Sequence, residues 1–311
     1  MIVSSEIEFN QELFEPAIDN FANADKISRP SITYWADVWR RLKNNKLAMF
    51  GLIVIIVLCT LAVIGPYLNK YSYFEQDFKN KNLWPNGQHW FGTDDSGRDL
   101  WTRVWHGARI SLIIGFAAAG IDFLIGSIYG GIAGLKGGKI DEIMMRIAEV
   151  LYSIPYLLVV ILLMVVLKPG LGPIILALTL TGWLRMARLV RGQVLQLKEQ
   201  EFVHAAEALG ANTSWILTKH LIPNTMGPIL VNITLTVPSA IFAEATLSFL
   251  GLGIQAPRAS WGSMANDGIK SLFVGTGYQL FIPAVLISLT MFGFNVLGDG
   301  LRDALDPKLR K

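Results

Sequence analysis

Apolar positions along most of this chain do not alternate with polar ones; they run on. Residues 47–65, "LAMFGLIVIIVLCTLAVIG", contain no charged side chain. Roughly 20 such residues cross the hydrocarbon core of a bilayer as a helix, so this run predicts a membrane span. It lies far from the N-terminus, and no small-x-small cleavage site follows it closely. It is therefore expected to be retained and not removed as a signal. Five further apolar segments follow, at 110–135, 144–167, 171–189, 228–250 and 280–296. The polar pieces between them are 69–109, 136–143, 168–170, 190–227 and 251–279. The expected fold class is all-α, a polytopic membrane protein with six transmembrane helices.

Six crossings put both termini on one side, and basic residues near the spans say which side. Over residues 40–311, 16 Lys and Arg fall on the terminus side and 9 on the other. The termini are thus expected to be cytoplasmic in a multi-pass cell-membrane protein, with the segment "HWFGTDDSGRDLW" outside. The expected organisation is a tail and interfacial helix (1–46), a first span (47–68) and an outer loop (69–109). A five-helix core (110–300), with a cytoplasmic loop at 198–224, and a C-terminal tail (301–311) complete it. Composition agrees. Of the 311 residues, 52% are hydrophobic and 16% charged, and the mean hydropathy is +0.43, whereas soluble domains carry about a quarter charged residues. A formal charge of +3 gives no reason to invoke nucleic acid. The one cysteine, Cys59, lies inside the first span, so no disulfide forms within the chain.

Residues 1–30 are acidic, polar and without periodicity, which predicts a loose tail. In "YWADVWRRLKNNK", Tyr34, Trp35, Val38, Trp39 and Leu42 recur at helical spacing beside Arg40, Arg41 and Lys43. That pattern suits a helix lying in the headgroup region. Gly126, Gly130 and Gly134 stand four apart in the second span and predict close helix packing. Asp122, Glu149 and Glu244 fall in apolar segments, where a charge usually faces a cavity or a partner. A place along a passage and a role in helix packing are both open to them.

Several chemistries fail on spacing. "AGLKGGKI" has Ala133 for the first glycine of a phosphate loop and Ile140 for its Ser or Thr. The histidines, His89, His106, His204 and His220, form no HExxH motif and no i,i+4 pair. Arg185, Arg188 and Arg191 imitate a voltage sensor, but two of them can reach the cytoplasmic interface. In "FGTDDSGRD", Asp94, Asp95 and Asp99 surround Ser96, Gly97 and Arg98, without the D-x-[DN]-x-[DN]-G register of a calcium loop. Asp and Ser bond neighbouring backbone N–H groups readily, Gly97 permits positive φ, and Asp99 is placed to cap a helix from Leu100. A capped turn is favoured over a metal site.

The loop "KEQEFVHAAEALGANTSWILTKHLIPNTMGP" reads as helix, glycine, helix. Phe202, Val203, Ala206 and Leu209 make an apolar set, and Gly210 sits at a C-terminal cap position. Asn212 or Thr213 caps a second short helix bearing Trp215, Ile216 and Leu217, which Pro223 stops. Its small residues suit either docking into a partner's groove or packing on the chain's own helix ends.

This loop resembles the EAA loop of ABC-importer permeases, in which E-A-A is followed by three residues, G, nine residues and I-x-L-P. Ala205, Ala206, Gly210 and Pro223 match in register, and Ile222 stands for the leucine. His204 replaces the glutamate and His220 the isoleucine, as in the peptide-importer branch. "FGTDDSGRD", "ASWGSMANDG" (259–268) and "FNVLGDGLRDALDPKLRK" (294–311) are similar to three further hallmarks of that branch. The resemblance runs from about Arg40 to the end and is closest to the C-type membrane subunit of oligopeptide importers. It implies a type I importer permease fold forming half of a translocation pathway. The implied partners are a homologous B-type permease, two ATP-binding subunits and an extracytoplasmic peptide-binding protein. Catalysis is then absent from this chain, which binds no cofactor; ATP and magnesium sit on the ATPases. By resemblance, Glu201, Phe202, His204, Ala205, Ala206, Gly210, Ala211, Trp215, His220, Pro223 and Asn224 form the ATPase-docking loop. Phe91, Gly92, Thr93, Asp94, Asp95, Gly97, Arg98 and Asp99 lie where the binding protein lands, a role compatible with a structural turn. A permease for another small solute, such as a dipeptide or nickel, is the nearest alternative. A self-contained secondary transporter would need internal repeats, and no segment recurs.

Overall fold

The computed structural model describes residues 33–306, so the expected tail at 1–30 and the basic Lys308, Arg310 and Lys311 lie outside the described residues. Helix α1 (Tyr34–Asn44) buries Val38 and Leu42 and exposes Tyr34, Trp35 and Trp39. The Asn45 side chain then accepts from Ala48 N at 3.1 Å and caps α2 (Lys46–Ile64). Ile53, Ile56 and Val63 on α2 are exposed, as expected of a helix wetted by lipid. Among the described residues, five helical runs are long and apolar enough to cross a membrane, and a sixth arises if a bent pair is one span.

Helix α3 (Leu100–Lys136) has 37 residues, about 55 Å at 1.5 Å each. It begins ten residues before the expected 110 because hydropathy registers only the part meant for hydrocarbon. The polar first turns have tertiary partners instead. Arg109 donates to the carbonyls of Ala62 and Val63, both at 2.6 Å, satisfying the open end of α2. At its far end, Gly137 (φ +63°) turns the chain directly into α4 (Gly138–Ser153), so the expected polar loop 136–143 is mostly helix. The third span is corrected too: α4 and α5 (Tyr156–Leu167) meet at a 74° bend at Pro155, whose ring cannot continue a helix.

Helix α6 (Leu171–Leu197) runs eight residues past the expected end, because Val190 and Val194 are buried and Arg191 pairs with Asp141 of α4. It lies along α3 at the glycine ladder. A Cβ added at Gly126, Gly130 or Gly134 would fall 2.6 Å from Met186 Cβ, 2.1 Å from Ala187 O or 2.9 Å from Arg191 O. Packing is therefore what this spacing does. Helix α7 (Glu201–Ala208) and the short α8 (Thr213–Ile216) form the next connection. The expected stop at Pro223 is not found. A π turn, Leu217–Leu221, leads straight into α9 (Ile222–Phe249), and the helical run passes through Pro223 without a break. The short α10 (Trp261–Gly268) occupies the expected polar piece 251–279, its N-terminus closed by a reciprocal Ser260–Ser263 capping box. Trp261 is fully buried and donates to Val104 O at 3.0 Å. Helix α11 (Tyr278–Leu305) continues through residues 301–305 of the expected tail, held by the buried Ala304 and Leu305.

Candidate functional site

Two clusters gather most of the residues singled out by sequence. The first is the turn before α3. Asp94 Oδ1 accepts from the N–H groups of Ser96 and Arg98, both at 2.9 Å, while Oδ2 takes Arg98 Nε at 2.6 Å and faces Arg103 Nε at 3.4 Å. Asp99 caps α3 through Thr102 N at 2.9 Å and meets His89 Nδ1 at 2.9 Å. Thr93, fully buried, bridges Leu83 and Asn80, and its carbonyl accepts from Tyr278 and Gln279 of α11. Phe91 packs against Trp101, with ring centroids 4.8 Å apart. Gly92 (φ +77°) and Gly97 (φ +74°) close against the carbonyls of Leu83 and Asp77, where a side chain would collide. Only Asp95 projects, its side chain 66% exposed. Asp99→Ala is expected to lower stability by about 1–2 kcal/mol, the worth of a good cap. Asp95→Ala is expected to shift it by less than about 0.5 kcal/mol. Thermal unfolding of the detergent-solubilised protein compares them, and equal midpoints would refute the cap's importance.

The second cluster is the connection between α6 and α9. Its inner side packs on the chain itself: Val203 and Ala206 join Val190, Val194, Ile216 and Leu221 in one buried cluster. Its outer side is open. Gly210, at φ +83°, ends α7, and the Asn212 side chain caps α8 through Trp215 N at 2.8 Å. Between the two helices lies a groove of about 580 Å³, with Phe202, Ala205, Ala206, Leu209, Gly210, Ala211, Trp215 and His220 in its walls. The His220 ring sits 4.7 Å from that of Trp215 and 6.0 Å from that of Phe202. Leu209 is 88% exposed, so the expected apolar set splits between inner packing and outer display. His204 and Glu207 form an exposed pair at 3.6 Å, Glu201 and Pro223 are exposed, and Asn224 donates to His220 O at 2.6 Å. The two readings of this loop are thus two faces of one structure.

The intramembrane carboxylates do not come together. Glu149 is exposed on α4 beside Arg146 at 3.1 Å. Glu244 is fully buried and accepts from Ser248 (2.7 Å) and Ser260 (2.6 Å), tying α9 to the cap of α10. Asp122 faces a cavity of about 280 Å³ between α3, α4, α5, α6 and α9, whereas Glu149 lines a separate one of about 240 Å³ between α4 and α6. The cavity at Asp122 also collects Arg185, Tyr152, Tyr156, Thr236 and Ser239, none of which spacing in the sequence brings together.

A bundle of apolar spans around a cavity that holds Asp122 and Arg185, with a helical connection displaying a groove, defines a multi-pass membrane protein. Residues 126–311 match the family described as "Binding-protein-dependent transport system inner membrane component", and residues 33–85 match "N-terminal TM domain of oligopeptide transport permease C". The chain is 64% identical to the dipeptide transport system permease protein DppC of Bacillus subtilis, over 93% of this chain and 90% of that one. It is 58% identical to the oligopeptide transport system permease protein OppC of the same organism, over 97% and 98%. Against the OppC of Escherichia coli K12 the identity is 43%, over 94% and 97%. A chain of the MetNI methionine ABC transporter, in inward facing conformations, shares the fold, with a TM-score of 0.50 and 21% identity over 64% of this chain and 94% of that one. The chain belongs to the family of inner-membrane components of binding-protein-dependent transport systems, and the expected permease fold is the one it has.

Proposed function

We propose that this chain is the C-type permease of an ATP-driven peptide importer, forming half of the translocation pathway. The groove between α7 and α8 carries the reading, because it is apolar, walled by aromatic rings and mounted rigidly on two spans. Relatives named for dipeptide and for oligopeptide transport support peptides as cargo. Selection of peptide length then rests with the binding protein. The remaining parts are a homologous B-type permease, two ATP-binding subunits that hold ATP and magnesium, and an external peptide-binding protein. This chain itself performs no catalysis and binds no cofactor. Both termini are cytoplasmic, so one ATPase receives residues 201–224 and the binding protein meets the turn at 91–99.

Mechanically, the loop is a handle. Phe202 and Trp215 are 39% and 46% exposed, which leaves both rings available as anchors of the kind that dominate interfaces. The run from Thr213 to Phe249 is continuous. Force on Trp215 therefore reaches the membrane along one continuous helical run. Closure of the ATPase pair would tilt α6 and α9 and open the pathway alternately to each side. Pull-down from detergent-solubilised membranes, with captured chains identified by mass, tests this. Wild type is expected to recover two ATPases and a sister permease. The double substitution Phe202→Ala, Trp215→Ala is expected to weaken ATPase capture by about tenfold or more, two buried aromatic anchors being lost. Solitary capture of wild type would overturn the reading.

A further inference from the structure

The cavity beside Asp122 holds charges that the coupling loop does not explain. Asp122 is only 5% exposed, and among the described residues no hydrogen bond or ion pair reaches its carboxylate. It sits 22 residues into a 37-residue helix, far from either end. An unpaired carboxylate there is costly, and such groups usually mark a substrate path. Arg185 lines the same cavity from the middle of α6 and is exposed, and no ion pair to it is found among the described residues. The Tyr156 hydroxyl, at the bend between α4 and α5, is buried and has no hydrogen-bond partner among the described residues. Ser239 and Thr236 donate to the carbonyls of Leu235 (2.7 Å) and Asn232 (2.9 Å), which leaves their oxygen lone pairs free to accept. Gly182 leaves room for the acid: a Cβ there would stand 2.6 Å from Asp122 Oδ2.

Around the cavity, Asp122 thus offers an unpartnered carboxylate, Ser239 and Thr236 offer hydroxyl acceptors, and Arg185 offers a guanidinium. A primary ammonium followed by a carbonyl matches that pattern, and it is the N-terminal end of any free peptide. The cavity, at about 280 Å³, lies just below the size that takes a whole drug-sized ligand, so it suits one end of a peptide. We infer that Asp122 is a transit subsite for the α-ammonium group of the cargo, with Arg185 donating to the carbonyl oxygen that follows. The inference rests on the peptide-importer reading and adds a contact point inside the membrane, distinct from whatever selection occurs outside.

The test is uptake of radiolabelled trialanine by proteoliposomes holding the complete importer, with binding protein outside and ATP inside. Asp122→Asn is expected to lower uptake about tenfold, the scale of one charge-assisted contact. Trialanine affinity of the binding protein and its stimulation of ATP hydrolysis are expected to stay at wild-type levels. Arg185→Gln, at an exposed position, is expected to lower uptake several-fold with the same retention. Wild-type uptake by both variants would overturn the subsite, as would parallel loss of uptake, ATP hydrolysis and thermal stability in both. Should Asp122→Asn fail to assemble, Arg185→Gln decides alone: reduced uptake with intact hydrolysis supports the subsite, and unchanged uptake removes it. Absence of ATP-dependent trialanine uptake in wild type would overturn the peptide-importer reading itself, and the subsite with it.

Discussion

Gly210→Asp is expected to abolish ATP-driven uptake while the chain remains in the membrane at normal abundance. The backbone at Gly210 has φ +83°, a region L-residues enter at about 1–2 kcal/mol. Two hydrogen bonds fix the turn there, Gly210 N to Glu207 O at 2.9 Å and Ala211 N to Ala206 O at 3.0 Å. They set the angle between α7 and α8, and hence the width of the groove. A Cβ at Gly210 meets nothing within 4 Å in this chain, so the cost to the fold is confined to that backbone strain. The new carboxylate projects instead into a surface that is mostly apolar, where an unpaired charge would have to be buried on docking. Gly210→Asn is the informative companion, since asparagine tolerates positive φ and carries no charge. It is expected to keep a measurable fraction of uptake. Quantifying uptake against membrane abundance for the three chains checks this, and normal uptake by the aspartate variant would remove the docking role.

Gly130→Val is expected to do the reverse, removing the folded protein itself. Its Cβ would lie 2.1 Å from the carbonyl oxygen of Ala187 and within 3 Å of two more backbone atoms of α6. No rotamer relieves a clash with backbone, so α3 and α6 must separate. Without a hydrophobic force between helices in lipid, close packing is what holds them. Separation also displaces the Asp141–Arg191 pair and the partners of Gly126 and Gly134. Overpacking in a core costs about 1–3 kcal/mol when side chains can adjust, and here they cannot. Gly120→Ala, on the same helix with nothing within 4 Å, serves as the control and is expected to behave as wild type. Size-exclusion profiles of the two variants in detergent separate the outcomes. A monodisperse Gly130→Val peak at wild-type yield would contradict the packing account.

How far the chain could be read in advance depended on which solvent each residue faces. Lipid leaves an unmistakable mark, so the apolar part of every span was legible, and so was the ladder of glycines. Helix that leaves the hydrocarbon carries no such mark. The first ten residues of α3 include Arg103, His106 and Arg109, and their partners lie on other segments that no local pattern reveals. Pro223 misled because proline usually ends or begins a helix, and only the unbroken backbone through the π turn shows that here it does neither. Gly210, Asn212 and Asp99 were legible because capping is local chemistry. Asp122 stood out as a charge among apolar neighbours, but Arg185 was masked by Arg188 and Arg191 at the same spacing. Those two are absorbed elsewhere, Arg188 over the Tyr152 ring at 4.6 Å and Arg191 on Asp141. Packing of one helix against another turned three similar arginines into three different ones.

The π turn at Leu217–Leu221 fixes a relation between two distant faces. Each residue in an α-helix advances the azimuth by about 100°, whereas a π turn absorbs one surplus residue as a local bulge. Trp215 before it and Ser239 after it are therefore phased on a common axis, one pointing into the groove and the other into the cavity. Shortening the chain by one residue within that turn lets it relax to plain α-helix with the phase kept. The same deletion between Ile222 and Ser239 turns one face about 100° away from the other. The length of this run behaves like the timing of a camshaft: what matters is less how far apart its two lobes lie than the angle between them.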